Sequence, residues 1–320
     1  MINHFRDQMP RPIVGLGHSM GGNNLVNLSL IHPRLFETLV LIDPVIQRFS
    51  SAQGNYVPAQ SSASRRDRWP SREVAMTSYK KSKFYQTWDP RVLNLWLKYG
   101  LRDLPTALYP DAQTPPLSAP TTTEPTVTPA PADKEVTLTT TKHQEVFTFL
   151  RPSSPEPSSD AVMASNRLTH PDIDPTAPPG PFYRPEPIIT FHNLPHLRPS
   201  VLYLFGSLSA LSAPDMIADK MAVTGTGVGG SGGAAEGKVR EVTLEGVGHL
   251  IPMEAVEKTA ELVVEHVGRE MKRWRRDEEV LRREWDRKSL QEKRTMSREF
   301  LERIGGDFGN GKRKARAEKL

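Results

Sequence analysis

Apolar and polar positions alternate along the first 45 residues in a pattern of short strands and one helix. Residues 12–19 (PIVGLGHS) are an apolar run that ends in glycine-flanked turn residues, and residues 23–36 continue with apolar side chains at helical spacing. Residues 38–45 (TLVLIDPV) are a continuous apolar run closed by Asp-Pro, as in a strand buried on both faces of a parallel sheet. The pattern predicts strand, sharp turn, helix and strand, which make one βαβ unit.

The second half of the chain predicts further strands of the same kind. Residues 199–209 form an apolar run that ends near Gly206, and residues 239–252 predict another strand followed by a loop. The seven glycines of residues 225–237 predict a flexible connection between the two strands. Beyond the loop, apolar residues recur every three or four positions up to Trp274, which predicts an amphipathic helix with a packed face.

The region between these halves changes character twice. Residues 65–109 combine helical patterning with three tryptophans, and Pro90 stands where a helix could begin, so we expect a small helical subdomain. Residues 110–187 contain 17 of the 29 prolines together with much Ser and Thr, which predicts disorder. Inside that stretch, the alternation of residues 136–152 predicts a hairpin or a pair of short strands.

The amino-acid composition excludes several kinds of functional site. The 320 residues include no cysteine, which excludes a disulfide scaffold, a thiolate metal site and a cysteine nucleophile. No apolar run reaches the roughly 18 residues of a membrane span, and the first residues lack the apolar core of a secretory signal. We therefore expect a soluble, intracellular chain. The net charge of +5 is concentrated in residues 271–320, which hold 17 Lys and Arg against 10 Asp and Glu.

The sharpest chemical signal lies at the turn after the first strand. Its sequence is Gly17-His18-Ser19-Met20-Gly21-Gly22. A serine between glycines, after a strand and before a helix, is typical of a nucleophile elbow, in which small neighbours permit the strained turn that presents Oγ. The N–H of Met20 would then point toward a developing oxyanion, aided by the helix dipole. The alternative is a glycine-rich turn without catalysis.

A second signal follows the last predicted strand. Residues 248–252 are Gly-His-Leu-Ile-Pro, and Glu254 comes two residues later, before the last packed helix. A histidine at this place, His249, can reach back to Ser19 Oγ as general base and then protonate a leaving group. The alternative is a loop histidine that caps the helix.

Taken together, these features resemble a known family. A strand, G-H-S-M-G-G, a helix, an L-I-D-P strand, a helical cap, a glycine-ended strand and G-H-x-x-P-x-E before a terminal helix are similar to the C-terminal half of an α/β-hydrolase. WDPRVLNLWLKYGLRDLP (88–105) and TLTTTKHQEVFTFLRP (137–152) look like the fungal branch with peroxisomal lipase-like and toxin-biosynthesis hydrolases. The resemblance covers residues 1–109, 134–152 and 185–270.

The resemblance implies a catalytic acid whose position stays open. In most of the family the acid stands three residues after the glycine that ends the strand, but this position is Ser209 here. Two carboxylates are candidates: Asp43, at the end of the strand after the elbow helix, where some members carry the acid, and Asp215, further along the usual loop. We expect Asp43, with Asp215 as the alternative. A structural role is open to Asp43 as well, because a strand-end Asp can fix an Asp-Pro turn.

A serine nucleophile favours ester, thioester or acyl-transfer chemistry with a small hydrophobic ester or acyl substrate, and we expect neither a cofactor nor a metal. Trp69, Trp88 and Trp96 would belong to a lid over an apolar acyl pocket, or equally to an ordinary core. The rival functions are a non-catalytic scaffold and nucleic-acid binding through the basic tail. Acidic residues mixed into residues 277–302 favour a solvated helix over the latter. The sequence fixes no oligomeric state.

The predicted fold is a partial α/β-hydrolase with parallel strands equivalent to 5–8, a helical cap and a disordered insertion. Strands 1–4 would be missing, so we expect a truncated gene model or a degenerate paralogue, with the first strand as an exposed edge. The second oxyanion N–H of the family would also be missing, and such a donor is worth about 10²- to 10³-fold in turnover. The C-terminal Glu-Lys-Leu shares its last two residues with a peroxisomal address, which predicts a peroxisomal or cytoplasmic location.

The patterns predict five segments along the chain. They are the nucleophile-elbow half of the core (1–48), the helical cap (49–109), the disordered insertion with its hairpin at 136–152 (110–187), the C-terminal core with the acid and histidine loops (188–275), and the charged helix with the basic tail (276–320).

Overall fold

The computed structural model describes residues 2–49, 55–110, 134–152 and 182–305. The chain divides into two units, residues 1–268 and 269–320. In chain order, the described helices and strands are α1 (Ile2–Phe5), β1 (Val14–His18), α2 (Met20–Ile31), β2 (Thr38–Ile42), α3 (Tyr56–Ser64), β3 (Arg68–Trp69), α4 (Arg72–Lys81), α5 (Pro90–Tyr99), β4 (Leu101–Asp103), β5 (Val136–Leu138), α6 (Lys142–Phe149), β6 (Arg151–Pro152), β7 (Phe182–Tyr183), α7 (Glu186–Asn193), β8 (Ser200–Gly206), α8 (Pro214–Val223), β9 (Val239–Leu244), α9 (Ile251–Glu254), α10 (Val256–Arg287) and α11 (Arg298–Arg303).

The main sheet has four parallel strands in the order β1-β2-β8-β9. Every residue of β2 and β8 is buried, as expected for the two inner strands. Leu39 and Leu41 of β2 belong to one apolar cluster, and Val40 and Ile42 belong to another. Helices therefore cover both faces of the sheet, which explains why β2 is apolar at successive positions and not only at alternate ones.

The carboxyl ends of the four parallel strands share one edge of the sheet. Ser19 follows β1, Asp43 follows β2, the loop of residues 207–213 follows β8, and the loop of residues 245–250 follows β9. Ligands of open α/β sheets bind outside this edge. The topology thus gathers the candidate residues on one side of the molecule.

The helical subdomain expected at residues 65–109 contains α4 and α5, and α5 begins at Pro90 as predicted. It also contains strands that the sequence pattern did not indicate. β3 and β4 pair with β5 in a three-stranded antiparallel sheet, so Val136–Leu138 joins the cap across the residues in between. An apolar cluster of the cap lies on this sheet and includes Trp69 and Tyr79.

The hairpin predicted over residues 136–152 is wrong, whereas the alternative of two short strands holds for Val136–Leu138 and Arg151–Pro152, which belong to different sheets. The residues between them include Lys142–Phe149, which is the helix α6. A capping box explains the helix, because Thr141 Oγ1 accepts from the N–H of Gln144 and the Gln144 side chain accepts from the N–H of Thr141. The predicted disorder concerns residues 110–187, of which 111–133 and 153–181 lie outside the described residues.

The glycine-rich segment of residues 225–237 is not a featureless connection. Its N–H groups bond to a preceding loop: Gly225 to the carbonyl of Leu194, Gly227 to that of Pro195, and Ser231 to that of Leu197. Several of its glycines have positive φ, which a side chain would disfavour. The glycines therefore serve a specific set of turns, whereas composition alone indicated flexibility.

Candidate active site

Ser19 occupies a strained turn between β1 and α2. Its φ of 56° and ψ of −122° lie outside the regions that a serine ordinarily adopts, and such backbone costs about 1–3 kcal/mol. The turn is tied to its surroundings, because the N–H of Ser19 donates to the carbonyl of Ile42 at 2.9 Å and the carbonyl of Ser19 accepts from Gly22. The strand-turn-helix geometry expected of the elbow is present.

Steric contacts show which glycines this turn requires. A Cβ on Gly17 would lie 2.7 Å from backbone atoms of Gly21 and Gly22, and a Cβ on Gly22 would lie 2.9 Å from Pro44 Cβ. A Cβ on Gly21 would meet nothing within 4 Å. The motif singled out Gly17 and Gly21 as the small neighbours, but the crowded positions are Gly17 and Gly22, which the sequence could not distinguish.

Asp43 lies directly after β2, is completely buried and has a positive φ of 42°. Its N–H donates to the carbonyl of Leu204 at 2.7 Å, which fixes it between two strands. Its carboxylate accepts hydrogen bonds from His249, Ser209 and Ser212. The side chain therefore points into the site and does not merely close the Asp-Pro turn.

The ring of His249 bridges the other two candidate residues. Its Nδ1 lies 2.6 Å from Asp43 Oδ2, and its Nε2 lies 2.9 Å from Ser19 Oγ. The carboxylate accepts from Nδ1–H, which leaves the Nε2 lone pair of the neutral ring directed at the serine hydroxyl. Three side chains from distant parts of the chain thus form one hydrogen-bonded series.

Asp215, the alternative acid, is not part of this series. It lies in the first turn of α8 and is largely exposed, with Arg48 at 3.9 Å from its carboxylate. The structure thus brings Asp43, and not Asp215, to the histidine.

His18 supports the backbone of the histidine loop. Its Nε2 lies 2.8 Å from the carbonyl oxygen of His249, and because a carbonyl only accepts, the His18 ring donates. Burial is the main cause that lowers the pKa of His18, which keeps its ring neutral at physiological pH. The two rings lie 4.9 Å apart.

Two further residues position the same loop. The carboxylate of Glu254 accepts from the N–H of Gly248 at 2.8 Å, so this side chain ties α9 back to the loop. A Cβ on Gly206 would overlap the carbonyl oxygen of Gly248, so a side chain there would push the loop away. The position of Glu254 was visible in the sequence, but its partner was not.

The N–H of Met20 lies at the first turn of α2. Among the described residues it has no hydrogen-bond acceptor, as is usual for the first amides of a helix. An amide in this place, immediately after Ser19, is available to a developing negative charge.

Lys220 is a buried cation near the site that sequence reasoning missed. Its side chain is 1% exposed, its Nζ donates to the carbonyl of Met216 at 3.1 Å, and it lies 5.7 Å from the centre of the Phe205 ring. Burial lowers the pKa of Lys220 to about 8, and the charge of Asp43 is the largest effect that opposes this shift.

The tryptophans of the cap pack mainly on other aromatic rings. Trp69 is buried 5.5 Å from Tyr79, and Trp88 and Trp96 lie 6.0 Å apart. These contacts fit the ordinary-core interpretation of the three tryptophans. The cap also reaches the histidine loop region, because the N–H of Asp89 donates to the carbonyl of Met253 at 2.7 Å.

In the second unit, several charges of the described residues lie in local pairs. Arg283 pairs with Glu279, and Arg298 pairs with Glu302, each across one helical turn. Such pairing is typical of a solvated helix. In the described part of the chain, no helix is long and apolar enough to cross a membrane, and no three His, Asp or Glu side chains cluster in a way that could hold a metal ion.

Comparison with known proteins gives relatives in fungi. The chain is 43% identical over 295 residues to "Type I acyl-CoA thioesterase mpaH'" of Penicillium brevicompactum, and the aligned region covers 90% of this chain and 66% of that protein. It is 27% identical over 259 residues to "Abhydrolase domain-containing protein AFT2-1" of Alternaria alternata, and the aligned region covers 81% of this chain and 84% of that protein. The chain therefore spans just under two thirds of the length of the first of these relatives. No protein-family model matches it.

A solved structure supports the same fold. The "Peroxisomal alpha-beta-hydrolase Lpx1" of Saccharomyces cerevisiae matches with a TM-score of 0.51 at 15% sequence identity, over 95% of this chain and 64% of that one. This likeness shows the fold alone. Together with the parallel sheet, it shows that the described chain has the α/β-hydrolase fold, and the fungal relatives support its membership of the α/β-hydrolase superfamily.

Proposed function

We propose that the chain is a serine hydrolase that cleaves acyl esters or thioesters through Ser19, His249 and Asp43. The observation that carries the proposal is the position of the His249 ring, within hydrogen-bond reach of both the serine hydroxyl and a buried carboxylate. A base oriented by a third group and directed at a hydroxyl is the arrangement that activates serine.

The reaction would proceed in two halves. Ser19 Oγ attacks the acyl carbon while His249 Nε2 takes the hydroxyl proton, and Asp43 stabilises the ring while it is positively charged. The N–H of Met20 donates to the oxyanion of the tetrahedral intermediate. When the intermediate collapses, the C–O or C–S bond breaks and His249 returns the proton to the leaving group. Water then attacks the acyl-enzyme with the same proton transfers and releases the acid.

The chemistry of the nucleophile and the relatives point to an acyl substrate. The name of the Penicillium brevicompactum relative describes a thioesterase for acyl-CoA, and we propose a substrate of that class here. A thiolate leaving group needs less protonation than an alkoxide, because a thiol has a pKa of about 8.5. A peroxisomal location and a place in toxin biosynthesis stay predictions.

Covalent labelling tests the proposal directly. We expect a fluorophosphonate probe to label the full chain once, with the adduct on Ser19 in peptide mass spectrometry, and Ser19→Ala to abolish labelling. Ser64→Ala is the matched control, because Ser64 is an exposed serine at the end of α3, and we expect it to label like the unchanged protein.

Turnover tests the substrate class. We expect release of free thiol from acyl-CoA esters of graded chain length, and Ser19→Ala to lower kcat by roughly 1,000-fold or more. A folded protein that neither reacts with the probe nor releases thiol would contradict the proposal and favour the non-catalytic scaffold.

A further inference from the structure

The carboxylate of Asp43 is held by a set of donors that the proposed chemistry does not yet use. His249 Nδ1 and Ser209 Oγ lie 2.6 and 2.5 Å from Oδ2, and Ser212 Oγ bonds to Oδ1. Both serines are more than nine-tenths buried, and Asp43 is completely buried. The carboxylate is thus surrounded by donors on both oxygens.

The directions of these hydrogen bonds follow from the loop itself. Ser209 Oγ accepts from the N–H of Leu211 at 3.2 Å, which leaves the hydroxyl proton of Ser209 free to donate to Asp43. His249 Nδ1–H and the Ser212 hydroxyl also donate, so both carboxylate oxygens of Asp43 accept hydrogen bonds.

The same loop explains why the serines are well placed. The N–H of Ser209 donates to the carbonyl of Gly206, and the N–H of Ser212 donates to the carbonyl of Ser209, so successive turns present both hydroxyls to one carboxylate. Ser209 also stands three residues after Gly206, where most members of the family that the sequence resembles carry the acid. Here the loop supplies donors to a carboxylate that comes from β2.

We propose that Ser209 and Ser212 are positioning residues that hold the Asp43 carboxylate in the orientation His249 requires. This inference rests on the proposed function. With both hydroxyls present, Oδ2 is fixed toward His249 Nδ1; without them, the carboxylate can rotate, and its charge is neutralised by fewer donors.

The test compares alanine variants of one loop in the full chain. Ser209→Ala, Ser212→Ala and the double variant remove the donors to Asp43. Ser64→Ala is the matched control, because its hydroxyl donates to the carbonyl of Gln60 and makes no contact with Asp43 or the histidine loop in the described structure. Each protein is assayed with the acyl-CoA substrate for kcat, KM and the pH dependence of kcat, and its thermal unfolding is recorded.

We expect each single variant to lose roughly 10-fold in kcat and the double variant roughly 100-fold, with KM within about twofold. The acid limb of the pH dependence of kcat should also shift in these variants and not in Ser64→Ala. The other titratable groups around the pair are His18, beside the His249 ring, and Lys220, whose charge favours that of Asp43. Neither group changes in these variants, so the shift is attributable to the hydroxyls.

The remaining outcomes separate this inference from the proposed function. Folded alanine variants with the kcat and pH profile of Ser64→Ala would overturn the positioning role alone. An unchanged protein that is inactive and unlabelled would overturn the proposed function and the positioning role with it. If the double variant does not fold, the single variants and Ser209→Thr test the inference. The threonine keeps the hydroxyl, so we expect Ser209→Thr to recover most of the kcat that Ser209→Ala loses. Equal losses of kcat in Ser209→Thr and Ser209→Ala would overturn the inference.

Discussion

At the scale of single residues, Lys220 is a buried charge that the proposed reaction does not use. Within the described residues, its amino group donates to one acceptor, the carbonyl of Met216, and its charge interacts favourably with Asp43, Asp219 and Asp215. Because burial still lowers its pKa to about 8, the cost of removing the charge from water exceeds these attractions. Lys220 therefore destabilises the folded state while it is protonated.

This sign predicts how stability depends on pH. The penalty is fully present below about pH 8 and disappears as pH rises toward 10.5, because in that window the unfolded chain holds a proton at Lys220 that the folded chain lacks. We expect the unfolding free energy of the unchanged protein, relative to Lys220→Met, to rise by up to roughly 3 kcal/mol between these pH values. Urea unfolding at graded pH measures it, and parallel curves for the two proteins would contradict it.

At the scale of elements, several contacts fix the loop of residues 245–250, and three of them are at Gly248 and His249. His18 holds the carbonyl of His249, Glu254 holds the N–H of Gly248, and the missing side chain at Gly206 lets the loop approach β8. None of these residues touches the serine hydroxyl. They act by placing the ring, and a small displacement of a general base lowers its efficiency strongly.

Glu254 offers a test of this placement. Glu254→Ala removes the acceptor for the N–H of Gly248, and we expect kcat and the rate of probe labelling to fall roughly 10-fold, since a hydrogen bond to a charged group is worth about 1.5–3 kcal/mol. Glu254→Gln keeps an oxygen acceptor and should stay within a few-fold of the unchanged protein. Equal rates for both variants would show that this contact does not place the loop.

At the scale of the whole molecule, β1 lies at one edge of the described main sheet. Among the described strands β1 pairs with β2 alone, and Leu16 on it is 56% exposed. An apolar strand with unpaired backbone groups along one side favours self-association. In the described part of the chain, the strand that precedes the proposed nucleophile is thus an edge of the main sheet.

A charge on this edge should weaken association. We expect light scattering to show a concentration-dependent mass for the unchanged chain, and Leu16→Lys to raise the dissociation constant roughly tenfold, or about 1.4 kcal/mol. Val228→Lys is the control, because Val228 is a 92% exposed apolar residue in a turn, away from any strand edge. The same change in both variants would assign the effect to net charge instead of the edge.

Local sequence patterns predicted much of the fold. The apolar runs of β2 and β8, Pro90 at the start of α5 and the glycine-flanked Ser19 all depend on neighbours a few residues away, so they were predictable. The helix within residues 136–152 was not predictable, because the alternation of this segment resembles strands. The capping residue Thr141 and the contacts of α6 instead favour a helix. Glu145 of α6 accepts from Ser62 and pairs with Arg65, both distant in sequence.

The sequence by itself determined that a serine would stand at a strained turn and that a histidine loop would follow the last strand. It favoured Asp43 as the acid but left Asp215 open, because both follow predicted strands or loops and the outcome depends on which one faces the ring of His249. Only the parallel order of β1, β2, β8 and β9 decided it, by placing the end of β2 between the serine and the loop after β8. The physical reason is that strand patterns record burial along the chain, whereas hydrogen bonds across a sheet edge depend on the lateral order of strands.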